Sequence, residues 1–236
     1  MRERTWRVAV IDSGVEPSAG LRVKQAQRFT DNDGQVSATE IVPDPIGHGT
    51  AIAQIMVSAE ACVELYVAQV LDAQGRTTPA AVAAALDWAL AQRAQLIHLS
   101  LGLAHDRPVL AAAVARVLAA GIVVVASTPA RGVRTYPAAY SGVIRATGDA
   151  RCGREEISHL ATPWADFGAC ALHHGQNGRV QRGASIGAAH LGRFILAHLP
   201  PSTEPVEVSR SLARYACYRG AERRAPESMS NACDTT

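Results

Sequence analysis

The sequence predicts an α/β fold, a doubly wound and mainly parallel sheet with helices on both faces. Short, mostly apolar runs of strand length recur at 6–11, 63–71, 96–99 and 122–125. Between them lie stretches with helical apolar spacing, such as Val82, Leu86, Ala89 and Leu90. Strands that alternate with helices read as βαβ units, whose strands lie parallel.

Composition sets the frame. With 236 residues, 48% of them hydrophobic and 19% charged, the chain can build one large core. Residues 1–219 are expected to form that single domain, and the polar tail 220–236 to be disordered. A net charge of +2 gives no argument for nucleic acid or an anionic membrane. The longest apolar run, 110–127, is interrupted by Arg116 and Gly121 and reads as a helix followed by a strand, not a membrane span. Met1-Arg2-Glu3-Arg4 precedes too short an apolar stretch for a secretory signal. Cys62, Cys152, Cys170, Cys217 and Cys233 are odd in number and form no CxxC pair, so reduced thiols in a cytoplasmic protein are expected.

Taken in order, the strand at 6–11 delivers Asp12 at its carboxyl end. A polar, irregular stretch is expected from Asp31 to Pro45. Ile52, Ile55 and Met56 then mark a helix with His48 at its start. Pro79 opens the helix after the 63–71 strand, since proline is tolerated in a first turn. The 96–99 strand ends at Ser100-Leu101-Gly102. A helix from about Pro108 stops at Gly121, a frequent residue just past a helix end. Segment 135–147 is mixed. Ser185 opens a last apolar helix that runs to Leu199 before Pro200-Pro201.

Three stretches carry chemistry: Asp12-Ser13-Gly14, Gly47-His48-Gly49-Thr50 and Gly183-Ala184-Ser185. A hydroxyl is a poor nucleophile until an imidazole takes its proton, and a carboxylate must hold that imidazole in one tautomer. Singly, each stretch has an ordinary structural reading, as a turn, a helix cap or an N-cap serine. Together, three such residue types at three element ends, in the order Asp, His, Ser, point to acyl transfer.

On these residues the chain resembles the subtilisin-like serine proteases, the subtilases. Residues 8–14 are similar to that family's Asp motif, and Gly47-His48-Gly49-Thr50-Ala51 to its His motif. Gly183-Ala184-Ser185-Ile186 with Ala189-His190-Leu191 is similar to its Ser motif. The 65–72, 97–102 and 136–144 segments resemble family segments without catalytic residues. The resemblance implies a subtilisin-like fold and a serine endopeptidase without a cofactor or metal. Asp12 would orient the imidazole, His48 act as base and then acid, and Ser185 be the nucleophile. Ser100, Leu101, Gly102 and, less securely, Gly75 would bind a polypeptide as an added strand.

The departures matter as much. Where the family carries Ala-Gly-Asn, whose Asn completes the oxyanion hole, this chain has Ala126-Ser127-Thr128-Pro129-Ala130. Either another group substitutes, with Asn177, Thr128 or Ser127 as candidates, or the enzyme is slow, or catalysis is lost and the domain binds peptides without cleaving them. The loop from Pro129 to Thr135 is short. The chain is most similar to short subtilases that remove leader peptides, including the kind that matures the small subunit of quinohemoprotein amine dehydrogenase. One dedicated precursor is therefore the expected partner. Among the other histidines, His98 reads as a satisfied core residue, His173-His174 as a loop pair without metal-ligand spacing, and His190 as packing. The stretch 151–156 reads as a solvated loop.

Overall fold

The computed structural model describes residues 5–58, 61–175, 178 and 180–222. Its organising strand is β1 (Trp6–Asp12), apolar on both faces: Val8 and Val10 point into one core layer, Ala9 and Ile11 into the other. β2 (Val23–Asn32) and β3 (Gln35–Thr39) follow, then helix α1 (His48–Val57) and β4 (Val63–Gln69). Next come α2 (Pro79–Ala91), β5 (Leu96–Leu99), α3 (Pro108–Ala119), β6 (Val123–Ser127) and β7 (Ile144–Asp149). β8 (Ile157–His159), β9 (Phe167–Cys170), β10 (Leu172–His174) and β11 (Val180–Arg182) lead into α4 (Ala184–His198). The described residues end with α5 (Pro205–Tyr215) and β12 (Tyr218–Arg219).

Ten strands form one sheet in the order β12-β8-β9-β7-β6-β5-β1-β4-β2-β3. Its pairings are parallel except β2/β3 and β8/β9, so the doubly wound, mainly parallel expectation holds. Helices α1, α4 and α5 bury Ile52, Met56, Leu191, Ile195 and Leu212 on one face. Helices α2 and α3 bury Leu86, Leu110 and Val117 on the other. β10 and β11 make a separate hairpin that leads into α4.

Several expectations hold in detail and several do not. Thr78 caps α2 by accepting from the Ala81 N–H, with Pro79 in the first turn, and Gly121 takes a left-handed φ of 75° after α3. The stretch 31–45 is not wholly irregular. Asp31 and Asn32 end β2 and pair with β3 through a two-residue turn, Asp33-Gly34, with φ of 54° and 87°. That Asp-Gly pair was the available signal, since a primed hairpin turn needs positive φ at both positions. The helix bearing Ser185 is not the last. α5 follows it, opened by Pro205 and anchored by Val208 and Leu212, four residues apart on one face. The 151–156 loop is not simply solvated either: Arg151 ion-pairs with Asp149, donates to the Gly220 carbonyl and lies over the Tyr218 ring.

Gly220 continues the β12 edge by donating to the His159 carbonyl, so the expected tail begins later than 220. Residues 223–236 of that tail, Asn177 and Cys233 lie outside the described residues. Cys62, Cys152, Cys170 and Cys217 are free thiols, and burial pushes the Cys152 thiol up to about 12. Among the described residues no helix is long and apolar enough to cross a membrane, and no group of three or more metal-ligating side chains occurs.

Two buried histidines make the fold acid-sensitive. Burial pushes His98 down to about 3, with the nearby His48 charge adding, and pushes His190 down to about 4. Unfolded imidazoles take up protons near 6.5, so between that pH and 3–4 the unfolded chain binds more protons than the folded one. The stability held above about pH 6.5 is lost as pH falls, by up to about 1.4 kcal/mol per pH unit for each histidine. Thermal melts from pH 7.5 to 4.5 should show this decline, with a shallower slope in His190→Leu. An equal slope in that variant would remove His190 from the account.

Candidate active site

Asp12, His48 and Ser185 reach the same edge of the sheet because each ends or begins an element there. Asp12 is the last residue of β1, His48 the first of α1, and Ser185 the second of α4. α1 and α4 pack side by side on one face, with Met56 of α1 against Gly192 of α4. Both helices start unusually close to the sheet. A Cβ on Gly49 would lie 2.3 Å from the Gly14 carbonyl and 3.2 Å from Asp12 Cβ, and one on Gly187 would lie 2.3 Å from the Thr147 carbonyl.

The carboxylate and imidazole form one hydrogen-bonded unit. His48 Nδ1 lies 2.7 Å from Asp12 Oδ1, which also accepts from the Ser13 N–H at 2.7 Å. An ionised carboxylate only accepts, so Nδ1 carries the proton and Nε2 keeps its lone pair. Asp12 is fully buried while the His48 side chain is 28% exposed, which leaves the ring's outer edge open to a reactant. Burial alone would depress the His48 pKa. The hydrogen bond and charge of Asp12, with the more distant Asp44 charge, outweigh it and raise the pKa above 6.5.

Asp44 was not singled out from the sequence, yet it ties two of the three segments together. Its Oδ1 accepts from Ser13 Oγ (2.8 Å), Gly47 N–H (2.9 Å) and Ile46 N–H (3.2 Å). Its Oδ2 accepts from Thr50 N–H (2.8 Å) and Thr50 Oγ1 (2.6 Å). Ser13 Oγ in turn accepts from Gly49 N–H at 2.9 Å. The turn after Asp12 and the first turn of α1 thus share one hydrogen-bonded network, and a carboxylate at a helix start also suits the helix dipole. A signal was available in an Asp four residues before a helix-starting His. Buried Gln69, at the end of β4, fixes the preceding loop: it donates to the Ser13 and Val42 carbonyls and accepts from the Val42 N–H.

The half-buried Ser185 donates its hydroxyl to the Ser100 carbonyl at 3.4 Å. Among the described residues it makes no hydrogen bond to His48 in this state. Its backbone N–H lies in the first turn of α4, where helix N–H groups have no intrahelical partner and can receive an anion. Ser100, Leu101 and Gly102 run on from β5 at the same edge. Ser100 and Leu101 are buried, Leu101 with its side chain among the α2/α3 layer, and Gly102 is exposed. Leu103 and Tyr136 then pair antiparallel, and Thr135 packs against Gly102, 3.0 Å from where a Cβ would stand.

The remaining candidates are less central. Gly75 sits at an exposed turn with φ of 70°, closed by its own N–H to the Asp72 carbonyl and by Asp72 Oδ1 accepting from Gln74 and Arg76 N–H groups. Thr128 is buried beyond β6 and its N–H donates to the Ala146 carbonyl at 2.8 Å. That N–H is therefore already used, and only the side chain remains available. Thr128 lines a cavity of about 330 Å³ with Thr135, Arg145, Trp164 and Asp166.

A parallel α/β sheet with a hydrogen-bonded Asp–His pair and a serine on a helix N-terminus defines a class of hydrolase-like folds. Comparison narrows it: residues 3–178 match the subtilase family, and the chain belongs to it. The match ends before Ser185. A thermostable alkaline protease of Halalkalibacterium halodurans is 33% identical over 150 residues, 58% of this chain and 40% of that protein. Subtilisin DY of Bacillus licheniformis is 30% identical over 154 residues, 58% of this chain and 54% of that protein. An intracellular serine protease of Paenibacillus polymyxa is 30% identical over 162 residues, 61% of this chain and 49% of that protein. The matched segment thus spans about half or less of these relatives.

The Asp44 network gives a direct test. In Asp44→Asn the negative charge that favours imidazolium is gone, so the His48 titration midpoint should move to lower pH in an NMR pH series. An unchanged midpoint would show that Asp44 has no electrostatic hold on His48.

Proposed function

We propose that this subtilase domain is a serine endopeptidase that uses Asp12, His48 and Ser185 and serves one precursor or leader peptide in the cytoplasm. The observation that carries the chemistry is the His48 Nδ1–Asp12 Oδ1 hydrogen bond, which leaves Nε2 unprotonated and facing outward. Ser185 Oγ attacks the scissile carbonyl carbon while its proton passes to His48 Nε2. The tetrahedral intermediate then collapses, the C–N bond breaks, and His48 gives the proton to the leaving amine. Water attacks the resulting ester with His48 again as base, releasing the carboxylic acid and restoring Ser185.

A substrate strand beside Ser100-Leu101-Gly102 would bond through its backbone, and the turn at Gly75 is the second candidate wall. The Ser185 N–H and the α4 dipole face the developing oxyanion. Asn177 and the Thr128 side chain are the proposed second donors. Dedication to one substrate is supported by the absence of Asn from 126–130, since a slow enzyme suffices where a single bond is cut. The cytoplasmic location is supported by the 30% identity to a relative named as intracellular. The missing Asn equally favours a second reading, a peptide-binding domain that no longer cleaves.

Fluorophosphonate labelling separates the two. The wild type should lose fluoride from the probe and gain a phosphonyl group on Ser185, while Ser185→Ala should not. His48→Ala should lose peptide cleavage, and the double variant should be no worse than either single one. A folded wild type that neither labels nor cleaves a neighbouring-gene precursor would establish the binding reading. For the second donor, Asn177→Ala or Thr128→Val should lower kcat at least about tenfold with little change in KM. Wild-type kcat in both would eliminate both candidates.

A further inference from the structure

One pleat beneath the Ser185 contact, β5 carries a second imidazole whose bonding is incomplete. His98 is fully buried, paired in register with Val10 of β1 and Val125 of β6, both part of the apolar layer under α1 and α4. Its Nε2 lies 2.6 Å from Ser100 Oγ, and its Nδ1 is buried without a partner. A Cβ on Gly192 would stand 3.8 Å from that Nδ1, so the ring is held between β5 and α4, about two helical turns along from Ser185. The expectation of a satisfied core histidine is half right.

The tautomer follows from the environment. An orphaned N–H in an apolar layer is costlier than an orphaned lone pair, so Nε2 carries the proton and donates to Ser100 Oγ. Burial, with His48 adding, keeps the ring neutral, so this donor persists at any working pH. A leucine at 98 would face Val10 and Val125 with no unmet nitrogen. What the imidazole adds is a fixed hydroxyl on Ser100, whose carbonyl is the group that receives Ser185 Oγ.

We propose that His98 is a positioning residue for the nucleophile: its Nε2–H anchors the Ser100 hydroxyl, and so fixes the Ser100 carbonyl and the Leu101-Gly102 backbone beside Ser185. This rests on the reading of Ser185 as the nucleophile. Because the anchor acts through Ser100, the effect falls on alignment of the attacking oxygen and hence on kcat, and the two residues form one coupled unit.

The test is a double-mutant cycle on the full chain, read by fluorophosphonate labelling rate, by kcat and KM on a cleaved peptide, and by melting temperature. His98→Leu should lower kcat and the labelling rate at least about tenfold, with KM within about threefold. His98→Gln, whose amide N–H reaches a similar position, should recover most of that loss. Ser100→Ala should reproduce it, and the double variant should fall no further than the worse single one. Wild-type kcat in folded His98→Leu overturns the proposal, as does a double variant that loses the product of both single effects. Should His98→Leu not fold, a wild-type kcat in Ser100→Ala overturns it equally. Absence of labelling in the wild type overturns the nucleophile reading itself, and the positioning role with it.

Discussion

The constraint on which the site depends is the closeness of two helix starts to the sheet. At Gly49 and Gly187 a single added carbon would sit 2.3 Å from a backbone carbonyl, well inside contact distance. With glycine there, α1 and α4 press their N-termini onto the carboxyl ends of β1 and β7. Asp12, His48 and Ser185, from distant parts of the chain, then reach one edge of the sheet as the ends and starts of elements. In open α/β sheets this edge is where ligands bind, and helix starts there add a positive end and unpaired N–H groups.

Backbone closeness alone leaves side chains free to rotate, and polar groups finish the work. The carboxylate of Asp44, with five hydrogen bonds, locks the Ser13 turn to the first turn of α1. Gln69 holds the loop before it with three more. Each bond to a charged acceptor contributes about 1.5–3 kcal/mol, and leaving one buried member unpaired costs a similar amount. A network this connected fails as a unit, so the Asp12–His48 geometry is over-determined rather than resting on one contact.

What could be read in the sequence follows from periodicity. Buried parallel strands are apolar runs, so 6–11, 96–99 and 122–125 announced themselves, and residues at their ends fell near Asp12 and Ser100. The β2/β3 hairpin did not, because an edge ribbon such as Gln35–Thr39 is mostly exposed and lacks an apolar run. α5 was missed because its buried stripe is only Val208, Ser211 and Leu212. The candidate triad motifs were legible because acyl transfer calls for those residue types, while their order Asp, His, Ser is a mark of the fold that carries them. Asp44, Gln69 and the half-bonded state of His98 were not. Their roles depend on which backbone groups surround them, and that is fixed by tertiary contacts far apart in the chain.

The absent Asn can be weighed by magnitude. A side-chain donor in an oxyanion hole contributes about 2.7–4 kcal/mol to the transition state, whereas a helix N-terminus contributes about 0.3–1 kcal/mol, and up to about 2 in favourable burial. The α4 dipole therefore cannot stand in for a missing donor. The Thr128 N–H is already given to Ala146, which removes the backbone route at that strand end. A hydrolase built on this site either recruits a side-chain donor or runs about 10²–10³ slower than a fully equipped one. Either course is compatible with the proposed dedication to one precursor, for which turnover matters less than choosing one bond, and in both the proposed strand site at Ser100 to Gly102 would make that choice through backbone contacts.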